Sequence, residues 1–79
     1  MPITTHDIRQ SLLAHDGEYK RLAEEHSRCA NQLEELLKQP YLSSEDLTLE
    51  TTLKKTKLRL KDQMEMIVAR HHHATQHHH

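Results

Sequence analysis

Nine histidines, one cysteine and a run of lysines are the residues of this 79-residue chain whose types could do chemistry. His26 and Cys29 stand three apart, on one face of a helix, and Glu25 precedes the histidine. An imidazole beside a thiol can draw off its proton and activate it. With a carboxylate neighbour the same ring would serve as a pH switch or a metal ligand. Neither chemistry has its supports, because no Gly-rich loop is present to bind an oxyanion and no pocket is implied. The reading taken is inert packing for Cys29 and a core-edge, hydrogen-bonded His26. His15 sits at a break in the pattern and is expected to be wet. A crosslink between two copies of Cys29 would need close symmetric approach and an oxidising compartment.

The densest charge feature is Lys54, Lys55, Lys57, Arg59 and Lys61, five bases in eight residues with no acid among them. Such a stripe can engage phosphates. Tyr19 and Tyr41 are the only aromatics, too few for a platform on which single-stranded bases stack. The preferred reading matches these bases to Glu18, Glu24, Glu25, Glu34 and Glu35, within one chain or across a dimer. His71, His72, His73, His77, His78 and His79 form a tail that binds Ni²⁺ or Zn²⁺ adventitiously. It is either an affinity-tag-like terminus or a native His-rich end. Residues 70–79 are expected to be disordered or tag-like. No resident cofactor or metal and no catalytic residue is assigned.

Composition narrows the classes further. There is no Phe or Trp, one Gly and two Pro, against 29% charged residues. So few turn formers exclude a β-sandwich, a barrel or a glycine-rich phosphate loop. No apolar run approaches a membrane span, and no signal peptide is read at the start. A cytoplasmic location is expected. One cysteine excludes an intramolecular disulfide, and a formal charge of −1 points to no polyionic partner.

The elements that must position these residues are helices, since Leu, Glu, Lys, Gln, Arg and Ala dominate. Thr4 with Asp7 forms a capping box, opening a first helix over about 5–39. Ile8, Leu12, His15, Tyr19, Leu22, His26, Cys29, Leu33 and Leu36 alternate at spacings of three and four, as a helix packed along a partner requires. His15-Asp16-Gly17 either kinks this helix near 15–17 or separates a short lead-in from the main rod, with Asp16 as N-cap. Pro40 ends the helix, because it removes a backbone donor and bars Gln39 from helical dihedrals. Ser43 or Ser44 caps a second helix over about 44–69, with Asp46 three residues after Ser43 completing a capping box. Leu49, Leu53, Leu60, Met64 and Ile67 share one face of it, while Leu47 and Leu58 align on a face nearly opposite Leu60.

One partner helix covers one face. Two helices alone also lack the volume for an independent core. Residues 1–69 are therefore read as an all-α, antiparallel, coiled-coil-like two-helix hairpin. Leu47 and Leu58 would be covered when two hairpins assemble into a homodimeric four-helix arrangement.

Leu53-Lys54-Lys55-Thr56-Lys57-Leu58-Arg59-Leu60-Lys61-Asp62-Gln63-Met64 resembles the "LKKxKLxLKDxI" signature of the YdcH-like family of small bacterial proteins. Leu12-Leu13, Asp16 and the stretch Glu18-Tyr19-Lys20-Arg21-Leu22-Ala23-Glu24-Glu25-His26 resemble its "LL…D.EY.RL..EH" segment. The resemblance covers most of 11–68 and implies a short helical hairpin of uncharacterised function, bacterial and cytoplasmic, with no catalytic residues. Cys29-Ala30 stands where members often carry Leu-Asp, and Gln63-Met64 replaces an acidic residue and Ile. The Pro40-Tyr41 turn and the His tail also depart from the pattern. The expected role is a self-associating, non-enzymatic interaction module that also serves an unidentified protein partner. A nucleic-acid accessory protein using the basic stripe is the alternative.

Overall fold

In the computed structural model, residues 4–76 are described, with side chains as far as His72. They form three helices: α1 (Thr5–His15), α2 (Gly17–Leu37) and α3 (Ser44–Gln76). No strand occurs among the described residues.

Local chemistry fixes each helix start. The Thr4 hydroxyl accepts from the Asp7 N–H at 3.1 Å and the Asp7 carboxylate accepts from the Thr4 N–H at 3.3 Å, which satisfies otherwise orphaned donors. Ser43 and Asp46 make the same reciprocal pair, both bonds at 3.1 Å. Asp16 lies between two helices in extended dihedrals. Its N–H donates to the Leu12 carbonyl, closing α1, and its carboxylate accepts from the Tyr19 N–H at 2.8 Å, opening α2.

The single long first helix expected over 5–39 is thereby corrected: the chain breaks at Asp16 and reverses. Arg9 pairs with Glu65, while Leu12 and Asp16 border the same hollow as Ile67, Arg70 and His71. Rising numbers on α1 thus meet rising numbers on α3, so α1 runs alongside α3 in the same sense. α2 runs the opposite way, with Leu22 in one core cluster beside Leu60 and Ile67, and Leu36 in another beside Leu53. The expected pair of helices is in fact three, because an acid that caps the next helix leaves helical dihedrals itself.

The alternating seam places its apolar members as read. Ile8, Leu12, Tyr19, Leu22, Leu33 and Leu36 are all buried, and Ile8 is 1% exposed. Ile8 and Leu12 reach the core by folding back rather than along one rod. Cys29 is partly buried and touches both clusters, joining the larger one around Tyr19 to the smaller one near the turn.

Two boundaries differ from expectation. α2 ends at Leu37, two residues early, since the chain must leave the helix before Pro40. α3 passes residue 69 and continues to Gln76. No Gly or Pro interrupts Ser44–Gln76, and the buried Ile67 and Val68 anchor its last third. Residues 70–76 are therefore helical rather than a disordered tail, and His77, His78 and His79 lie outside the described residues.

Candidate interaction faces of α3

α3 is long enough to present several faces, and α2 and α1 take up only part of them. Leu53, Leu60 and Ile67 point into the core together with Val68. Leu49, expected with that group, is 46% exposed, at the rim of an open groove it shares with Leu36, Leu53 and Gln39. It lies where α2 has reached its last turns and the chain is leaving for the loop, so no apolar partner closes over it.

Leu47 and Leu58 are eleven residues apart, three turns, and so fall on one stripe. They are 50% and 60% exposed. On the same side of α3, Leu58 borders a shallow hollow with His26, Leu33, Lys54, Lys57 and Lys61. His26 is half-buried there and makes no hydrogen bond among the described residues, which corrects the hydrogen-bonded core-edge reading. The hollow is open to water, so solvent can serve the ring in place of a protein group. Cys29, by contrast, packs against the apolar clusters, and no imidazole–thiol hydrogen bond is present.

The charges of α3 segregate along its axis. Glu45, Asp46 and Glu50 occupy its first third with no base among them, and the five bases from Lys54 to Lys61 follow. Of these bases only Lys54 has an ion pair among the described residues, to Glu50 one turn back at 3.4 Å. The expected matching to the acids of α2 does not occur within one chain. Glu25 pairs with Arg21 at 3.0 Å, and Glu35 and Glu34 share Lys38 at 3.1 and 4.0 Å, all within or at the end of α2. Glu34 lines one shallow hollow with Lys57, yet no pair closes there. Apolar side chains, not charges, line the α2–α3 contact, and the acids of α2 that are paired find their bases on or at the end of their own helix. Glu24 and Arg28, one turn apart on α2, do not approach to 4 Å.

The titration of Tyr19 is perturbed. Burial pushes its phenol above the usual tyrosine value of 10.0, the Arg9 guanidinium opposes this, and the Glu65 carboxylate adds to it. It has no neighbouring acid–base apparatus and belongs to the core. Among the described residues no three His, Cys, Asp or Glu side chains gather to hold a metal ion. The side chain of His73 lies outside the described set, as do His77–His79. No helix of the described residues is long and apolar enough to cross a membrane.

A family model described as "Protein of unknown function (DUF465)" matches residues 20–68. The chain belongs to the DUF465 family. YdcH-like proteins are this family, so the resemblance carried by the basic signature of α3 is correct. The DUF465 segment spans nearly all of α2, the turn and three-quarters of α3, and therefore contains Leu47, Leu58 and the whole basic run. No curated protein and no solved structure matches the chain.

Proposed function

We propose that this DUF465 chain is a non-enzymatic, cytoplasmic helical interaction module that self-associates through the outer face of α3. The carrying observation is the exposure of Leu58 and Leu47 on one stripe, about 120–160° round α3 from its buried Leu53 and Leu60. Isolated surface leucines are ordinary. Two in line, three turns apart on a helix already buried along another face, make a seam. The hollows among the described residues are open and shallow, which suits association better than turnover.

The test is sedimentation equilibrium across micromolar concentrations, where the mass should rise to that of a dimer. Leu58→Glu should shift the protein towards monomer while circular dichroism retains the helical signal. A monomer at every accessible concentration removes this function.

A second reading draws on Lys55, Lys57, Arg59 and Lys61, which have no acidic partner within the chain among the described residues. Bases left without acids favour a polyanion, and DNA or RNA is the obvious one. Binding that weakens steeply with salt and with the double change Lys55→Glu and Lys57→Glu would support it. The absence of a gel shift at low salt would retire it.

A further inference from the structure

We infer that two copies pair antiparallel along α3, with Leu47 of each packed on Leu58 of the other, because only that direction lays the acidic third of α3 over its basic third. This rests on the self-association proposed above and adds its direction and register.

The argument begins with charge order. From Ser44 to Leu53 the helix carries Glu45, Asp46 and Glu50, and from Lys54 to Lys61 five bases. A parallel, in-register pair would place those five bases beside five identical ones. Like charges at that spacing oppose pairing. An antiparallel pair with its two-fold axis midway between Leu47 and Leu58 seats leucine on leucine twice and exchanges the charge blocks.

The flanks agree with this register. At about 100° per residue, Asp46, Glu50, Lys54, Lys57 and Lys61 lie to one side of the leucine stripe, while Lys55 and Arg59 lie to the other. A two-fold axis perpendicular to the helices brings like flanks together. The partner's Glu50 then falls level with residue 55, between Lys54 and Lys57, and the partner's Asp46 falls level with residue 59, between Lys57 and Lys61. Lys57 and Lys61, which have no acid in their own chain among the described residues, each gain one. α1 does not obstruct this stretch, since its contacts with α3 lie towards Glu65, Ile67 and Val68.

Cysteine crosslinking reads the direction. In a Cys29→Ala background, Thr51→Cys and Asp62→Cys each place one thiol at an exposed position on the stripe side of α3. Antiparallel pairing offsets the two Thr51 positions by about 5 Å along the axis and the two Asp62 positions by about 28 Å. Parallel pairing leaves both pairs at the ordinary helix separation of about 10 Å. With a short bis-maleimide the expected result is a covalent dimer from Thr51→Cys and none from Asp62→Cys, with both variants dimeric by sedimentation before crosslinking. Equal crosslinking at the two positions overturns the antiparallel direction and leaves self-association standing. A dimeric mass with no crosslink at Thr51→Cys overturns the register. A monomeric mass for both variants and for the unaltered chain overturns self-association itself.

Discussion

Arg9 on α1 and Glu65 on α3, fifty-six residues apart in sequence, form the one ion pair between different helices among the described residues. It marks where α1 lies against α3, but it does not supply most of the attachment. Both side chains are nearly half exposed, and pairs of that kind contribute about 0.2–1 kcal/mol and weaken with salt. Ile8 beside it is fully buried. Chemical denaturation should therefore rank the two sharply: Arg9→Ala costs less than about 1 kcal/mol, while Ile8→Ala costs about 2–5 kcal/mol. Similar losses for the two would mean that charge, not packing, holds α1.

Tyr19 predicts an alkaline limit to stability. Its phenol is buried, so the folded state favours the protonated form and its value stands above that of the unfolded chain. The stability this contributes is fully present below the ordinary value of 10.0 and is lost as pH rises through the higher folded-state value. Denaturation midpoints of a Tyr41→Phe variant, compared between pH 8 and the alkaline limb, should fall above pH 10. Adding Tyr19→Phe should flatten that fall, and an unchanged slope would place its cause elsewhere.

The residues at the reversal should respond in opposite directions. Asp16→Ala removes the acceptor of the Tyr19 N–H and should destabilise by about 1 kcal/mol. Gly17 has no positive φ, and a Cβ there would meet nothing within 4 Å. Gly17→Ala should therefore be neutral or stabilising, by up to about 1 kcal/mol, through the smaller entropy of its unfolded state. Thermal melts of the two variants check both signs.

The two clusters should open separately. The one near the turn buries only Leu33, Leu36 and Leu53, whereas the other buries seven residues. Native-state hydrogen exchange should find lower opening free energies around Leu36 and Leu53 than around Leu22 and Ile67. Uniform protection along α2 would show one cooperative unit instead.

Local signals in the sequence carried most of the fold. Thr4, Asp16 and Ser43 each cap the helix they announce, and the alternating seam names nearly all the buried residues of α1 and α2. The direction of α1 was not legible. Asp16-Gly17 announces a break, but a break that bends a rod and one that reverses it have the same local chemistry, and the choice falls to distant partners, Leu60, Ile67 and Val68. The end of α3 was missed for a related reason: histidines are indifferent helix formers, and the buried Ile67 and Val68 carry the helix into them. Charge matching within one chain did not follow, because composition counts acids and bases without regard to which face each occupies. The exposed stripe of Leu47 and Leu58 was readable, since it needs only helical periodicity.

Asp16 closes one helix with its backbone and opens the next with its side chain, so no slack residue separates α1 from α2. The chain there is geared. Adding or deleting a single position would turn α1 by about 100° and swing Ile8 and Leu12 out into water. Substitutions can accumulate along α1, but the count of residues between Leu12 and Tyr19 cannot drift without undocking the whole segment.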